Sequence, residues 1–565
     1  MKSKIGKSKA LPNKPLRNVR PSAGKISPVK KKPPIPKKVT QSRVSSDTNV
    51  KQVGKTQNPW HILIGWLLPI ILLISFTLSV FLLFGILDFD WGKQEISFLE
   101  ATLTTNPESV TDALGSVVEL LVAVLGLVIT VVTIVVQLAA QRYTPKLVDL
   151  FVADKINQLI FILMVFAVMF SFMVSFAVKK GFFPFWGITT VVILTMVVLS
   201  VLIPYFNYVF KFLTPINIVH SIRINAQKAV RSAIFKQRTQ SIDQYQSEVA
   251  NALEQISDTA LSSNSQMDRN VGLMAINQIR EIILDYQVVK NTLSRKWFQV
   301  SSNHFIGISD DFYQEILERK IWVEAKGFMD MELIFKMSIR NMPDAISAIA
   351  YNTRIIGETA TESKDHELLN MVVEFYNTFL RISLNDKNQK AIFNLFYQYR
   401  LLTDRIFSYD SDLALKVAFY FKYYGQQAHV LGLWFILWTA SSDLGILVAK
   451  AFDKRFSNLT QLLDIFLQVD DILDPEKDVL AYKGVRKSQL ILASYLMSKG
   501  DRMLVQRIAE DLKTDSKENL IQLRDELLMV KDKKFWEITD RGINIEYIDN
   551  EQKNFLRQFY TEFLL

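Results

Sequence analysis

The chain has 565 residues, 49% of them hydrophobic and 22% charged, with no cysteine and a formal net charge of +10. The length exceeds one ordinary domain, so at least two structural units are expected, and the absent thiols exclude disulfide staples, cysteine-ligated zinc, iron–sulfur clusters and cysteine nucleophiles. A mean hydropathy of +0.15 beside so many charges means that the apolar residues gather in blocks.

The first 55 residues carry sixteen Lys or Arg against a single acid, Asp47, so this stretch alone is +15 and the remainder about −5. With Pro33-Pro34-Ile35-Pro36 and no aromatic residue before Trp60, residues 1–57 cannot bury enough surface to offset their ordering entropy, and a disordered basic tail is predicted. It lacks the short basic-then-apolar layout of a signal peptide. A polybasic segment beside a membrane helix is drawn to anionic lipids by about 1 kcal/mol per residue. Nucleic acid is not expected as a partner, because aromatics are not interleaved with the charges.

Four stretches then meet the bilayer criterion of roughly 20 apolar residues. Residues 60–87, 156–178 and 185–210 contain no charge, and 113–140 contains only Glu119. Residues 58–214 are therefore read as a four-span transmembrane domain. Lys and Arg placement orients it. The tail is basic, the segment 88–112 holds only Lys93 against six acids, and Arg142, Lys146 and Lys155 mark the next loop as inner. Both termini are expected in the cytoplasm. Lys179 and Lys180 in the short outer turn run against this rule. Pro69 and Pro204 lie inside the first and fourth spans, where each removes an amide donor and permits a kink.

The second span carries the most specific pattern. Asp112, Ser116, Glu119, Ala123, Gly126, Thr130, Thr133, Gln137, Ala140 and Thr144 recur at heptad spacing as small or polar side chains, while every other position from Val117 to Leu138 is Val, Ile or Leu. From Glu119 to Ala140 is about 32 Å of helix, the thickness of the hydrocarbon layer. Two readings compete. Ala123, Gly126, Thr130 and Thr133 could let a neighbouring helix approach closely, or the stripe could line a water-containing pathway in a homo-oligomer, with Glu119 and Gln137 solvated near its ends. On the third span Ala167, Ser171 and Ser175 supply a possible partner face.

After the second span Thr144-Pro145 is a helix-start signal, repeated at Thr214-Pro215. Leu147, Leu150 and Phe151 would form the apolar face of a short helix on the cytoplasmic interface, with Arg142 and Lys146 near the headgroups; a simple continuation of the preceding helix is the alternative. The run Val136-Gln137-Leu138-Ala139-Ala140-Gln141-Arg142-Tyr143-Thr144-Pro145-Lys146-Leu147, followed by Asp154, Asn157 and Gln158, resembles the bacterial predicted-membrane-protein family called domain of unknown function 2254. The likeness covers roughly residues 60–290. It implies a multi-pass inner-membrane protein and no particular activity. Ala260-Leu261-Ser262-Ser263-Asn264 departs from the family's Ala-Leu-Ser-Pro and following Asn-Asp-Pro.

Residues 215–565 read as a cytoplasmic all-helical domain, a bundle or an irregular helical stack. Ile242, Tyr245, Val249, Leu253, Ile256 and Ala260 mark one amphipathic face. Helical stretches are expected over 332–359, 366–384, 389–407 and 487–512, with no period that establishes a solenoid. The apolar run 430–440 is too short to span a membrane and is read as a buried core helix.

Catalytic signals are thin. His61, His220, His304, His366 and His429 form no paired metal-ligand spacing, and phosphate-loop and nucleophile-elbow motifs are absent. Asp470, Asp471 and Asp474 resemble the second aspartate-rich motif of polyprenyl diphosphate synthases, where carboxylates one turn apart hold magnesium; this makes them a weak metal candidate and a prenyl-transfer enzyme a distant third function, because the opposing cluster, sought at Asp310-Asp311, lacks the required spacing. No cofactor and no enzymatic activity are expected. The leading expectation is a channel-like or transport role, with the second span lining a pathway in a homo-oligomer. The competing one is a non-conducting scaffold or sensor whose helical domain binds cytoplasmic protein partners.

Overall fold

The computed structural model describes residues 107–142, 147–179, 182, 184–235, 239–534, 541, 542 and 544–564, with eight further positions between 75 and 86. The tail 1–57, most of the first expected span including Pro69, and Thr144, Pro145 and Lys146 lie outside them. Among the described residues regular structure is helical throughout, and a lone bridge pairs Lys179 with Phe182.

The apolar blocks become α1 (Pro107–Arg142), α3 (Lys155–Ala177) and α4 (Phe185–Phe212), with the short α2 (Leu147–Ala153) between the first two. Each of the three long helices is long and apolar enough to cross a membrane. α4 runs unbroken through Pro204. α3 and α1 are antiparallel: Leu114 near the start of α1 shares a cluster with Phe170 and Val174 near the end of α3. The α2 face predicted for the membrane surface is instead core. Leu147 and Phe151 are buried, and the Phe151 ring meets Phe212 edge-on at 5.7 Å. α2 packs on α1 and α3 with the Phe212 ring of α4 against it, and an apolar side chain packs there at least as well as in headgroups.

From Pro215 the helices turn amphipathic: α5 (Pro215–Phe235), α6 (Thr239–Ser265), α7 (Arg269–Lys290) and the short α8 (Asp310–Arg319). Then follow α9 (Trp322–Ser338), α10 (Pro343–Ser363), α11 (His366–Asn385), α12 (Gln389–Ile406), α13 (Ser411–Val430), α14 (Trp434–Asp453), α15 (Leu459–Leu467), α16 (Val479–Lys499), α17 (Arg502–Leu512), α18 (Lys517–Met529) and α19 (Asn550–Phe559). Asp or Asn caps recur at the starts. Asp268, Asp365, Asn388, Asp410 and Asp501 each accept from the backbone amide three residues on, which satisfies one of the amides a helix start leaves open.

Two expected stretches are each two helices. Residues 332–359 break after Ser338 because Pro343 starts α10, and 487–512 break at Gly500, whose φ of 78° ends α16 in the left-handed conformation. The run 430–440 straddles the end of α13 and the start of α14, and α14 is the buried element. By length and composition α14 would also qualify as a membrane span, yet 67% of its apolar window is buried within the chain, against 17–28% for α1, α3 and α4.

The helices after α5 form a two-layer stack. In one layer α7, α10, α12, α14 and α16 pack in succession; in the other α6, α9, α11, α13 and α15 do the same. The first layer's α10, α12, α14 and α16 start at Pro343, Gln389, Trp434 and Val479, 45 or 46 residues apart. Such helical pairs bury a continuous core only by stacking on one another. Rings bind successive turns of the stack: Tyr376 and Tyr399 lie parallel at 4.5 Å, and Phe396 and Phe421 stack at 4.9 Å. The C-terminal segment then folds back across α12, α14 and α16, held by Arg541 on Asp443 and by Lys487 on Glu546.

Candidate functional site

The row of small and polar residues on α1 is a surface. Leu114, Leu121, Val128, Val132 and Val136 are buried and form the seam against α3. Asp112, Ser116, Glu119, Ala123, Gly126, Thr130, Thr133 and Gln137 are all exposed. The two rows are two residues out of step, about 200° around a helix that turns roughly 100° per residue, so the small-polar row lies opposite the seam. Ala140 departs from the row and is buried. A heptad pattern drifts about 20° per repeat on a straight helix, about 60° over three heptads, which turns Ala140 part of the way from the row toward the packed side.

Nothing among the described residues covers that row. A methyl added at Gly126 or at Gly115 would meet no atom within 4 Å, so packing among the described residues does not require the glycine. Two of its hydroxyls are satisfied locally: Thr130 donates to the Gly126 carbonyl at 2.8 Å and Ser116 to that of Asp112 at 3.0 Å. The row flanks lipid-like positions such as Leu127 and Leu138, which are 60% and 61% exposed. By contrast, the small residues of α3 do pack internally, with Ala167 and Ser171 fully buried and Ser175 half-buried.

At the other end of α1 the side chains of Arg142 and Lys146 lie outside the described residues. A polar cluster built on Asp154, Asn157 and Gln158 organises this end. Asp154 caps α3 through the amides of Ile156 and Asn157, and the same carboxylate oxygen accepts from the Tyr208 hydroxyl of α4 at 2.8 Å. Asn157, buried, donates to the Phe151 carbonyl at 2.9 Å, and Gln158 to that of Val152 at 3.0 Å. Together they fix the elbow between α2 and α3. An Asp before an apolar helix was a readable cap signal; Tyr208, 54 residues away, had none.

The aspartate-rich run does not converge. The Asp470 side chain, 8% exposed, lies 3.0 Å from Arg486, and that guanidinium also takes Asp511 at 2.6 Å and Asp515 at 3.1 Å. Burial, ahead of the Arg486 attraction, pushes the Asp470 carboxyl up to about 6. Asp474 turns to Lys477 at 2.5 Å and to the Glu476 amide, contacts that lower its pKa. Among the described residues no three His, Asp or Glu side chains group as metal ligands would. Asp310 and Asp311 sit in the first turn of α8, after its Ser309 cap.

Residues 65–279 match a family model described as "Predicted membrane protein (DUF2254)". The Ala260–Asn264 segment, where this chain departs from that family's pattern, is helical within α6, and Asn264 donates to the Met337 carbonyl at 2.9 Å. None of the curated proteins matches the chain. Among solved structures, one described as "Circular tandem repeat protein with novel repeat topology and enhanced subunit contact surfaces" is similar at 14% identity and a TM-score of 0.29, covering 62% of this chain and 95% of that one; a score that low carries no argument.

Proposed function

We propose that this member of a predicted membrane protein family assembles through α1 into a homo-oligomer of the inner membrane, in which the row from Glu119 to Gln137 lines a channel-like pathway. The observation that carries the reading is the exposed row opposite the packed seam of α1. An ionisable Glu119 in an otherwise apolar segment is costly in lipid and inexpensive in water. A strict heptad repeat keeps its contact line only by supercoiling around a partner helix, and small side chains permit that approach. On this reading the termini and the two-layer stack lie in the cytoplasm, where the stack gates or assembles the pore and the basic tail rests on anionic lipid.

Purified protein reconstituted in liposomes should release potassium faster than empty liposomes, and Gly126→Leu, which fills the row without touching the seam, should slow that release severalfold. Flux no greater than that of empty vesicles would transfer the case to the second reading, a non-conducting scaffold. The stack favours that alternative on its own account, because repeated helical pairs present extended surfaces suited to protein partners.

A further inference from the structure

We infer that the helical stack holds a binding site for a small organic anion, a carboxylate or phosphate monoester with an apolar or aromatic body, between α12, α14, α16 and the returning C-terminal segment. A cavity of about 350 Å³ opens there, within the range of small-molecule sites. Its cations are Arg400 from α12, Lys450 from α14 and Arg541 from the C-terminal segment.

The electrostatics beneath it are unbalanced. Asp443, fully buried in the middle of α14, is taken bidentately by Arg541, Nη1 to Oδ1 at 2.7 Å and Nη2 to Oδ2 at 2.8 Å. The Nη2 also donates to the Phe393 carbonyl at 3.0 Å, and the guanidinium lies 4.1 Å above the Phe393 ring. Arg400 shares the same carboxylate, its Nε 3.0 Å from Oδ1, yet at an angle that forms no directed hydrogen bond. Two guanidiniums therefore share one charge where their side chains are 15% and 6% exposed. Arg541 Nε is buried without an acceptor, and among the described residues the Arg400 guanidinium has Asp443, already held by Arg541, as its ion-pair partner. The other acid at the cavity, Asp453, accepts from the Tyr495 hydroxyl and has the Lys499 ammonium 3.8 Å away to offset its charge. A second anion placed against Arg400 would restore neutrality, and the planar guanidinium fork matches carboxylate and phosphate oxygens in pairs.

The rest of the wall selects the body of the ligand. Ile446, Ala449, Ile491 and Leu492 are aliphatic, and Tyr397 and Tyr547 supply rings. Free phosphate would leave this surface wet; a ring or short chain would cover it. The site is independent of whether α1 conducts.

The test uses the full chain in lipid nanodiscs, with phenyl phosphate and benzoate as probes, inorganic phosphate as charge without a body, and benzyl alcohol as body without charge. Calorimetric titration should show saturable binding of at least one ring-bearing anion, with inorganic phosphate and benzyl alcohol weaker by roughly tenfold or more. Arg400→Gln, which leaves Arg541 on Asp443, should weaken the anion by about tenfold. Ala449→Phe should abolish binding by filling the cavity without altering any charge, and an unchanged unfolding temperature shows that the variant is folded. Binding that survives both substitutions overturns the inference, as does inorganic phosphate matching the ring-bearing anions, or no saturable binding of either ring-bearing anion up to about 10 mM.

Discussion

Asp330 shows how a single buried group sets a pH response. It lies in α9, with Lys326 3.4 Å away and one carboxylate oxygen without a partner. Burial, ahead of the Lys326 attraction, lifts its pKa to about 6, and Glu254 and Asp258 on α6 push the same way. Because the folded value lies above the unfolded one, the native state holds the extra proton. Its stabilising effect is fully present below about pH 4 and is lost as pH rises through about 6. Asp330→Asn removes that loss, so the variant should gain up to about 2–3 kcal/mol relative to the natural protein between about pH 4 and pH 7. Thermal unfolding of both proteins across that range checks it; parallel pH profiles would contradict the assignment. Nothing in the sequence pointed to Asp330. Its neighbours on α6 are more than seventy residues away in the chain, and a burial shift depends on what folds over a group, not on what adjoins it.

Elements were legible where a local rule governs them. The long apolar runs gave α1, α3 and α4 to within a few residues, except that α1 extends to Pro107, and the 3.6-residue periodicity gave α11 and α12 nearly to the residue. The breaks at Pro343 and Gly500 were present as standard stop and start signals and were passed over inside longer apolar patterns. The 45-residue recurrence of helix starts shows in the caps only at Asp365 and Asp410, while the starts at Pro343 and Trp434 follow Met342 and Leu433; the recurrence lives in spacing and not in residue identity, so a search for repeated motifs does not find it. What no local rule supplies is how closely successive helices of one layer approach. A methyl at Gly484 of α16 would stand 2.5 Å from the Cγ of Trp438 on α14. Gly484→Ala should therefore destabilise the stack by roughly 1–3 kcal/mol despite its better helix propensity, whereas the same change at Gly126, which faces open space, should be neutral or stabilising. Thermal unfolding of the two variants side by side measures the contrast, and equal effects would mean that α14 and α16 do not meet as described.

For the whole molecule, one continuous core runs from the apolar helical block into the stack, with α5 between them packed on α6 and α7. The candidate row on α1 was fully legible in composition. Its direction was not, because a heptad of small residues looks the same whether it meets a helix of its own chain or faces outward; the seam against α3 is what settles that. The absence of any native cysteine gives the sharpest test of what covers the row. Single cysteines placed from Glu119 to Gln137 in membranes, each probed with a membrane-impermeant thiol reagent and with an oxidant that links copies, should react at Ala123, Gly126, Thr130 and Thr133 and join two chains near those positions, while Leu127 and Leu138 stay silent. Silence at the four small-residue positions, with no linked chains, would mean that the row faces lipid and that the pathway does not exist.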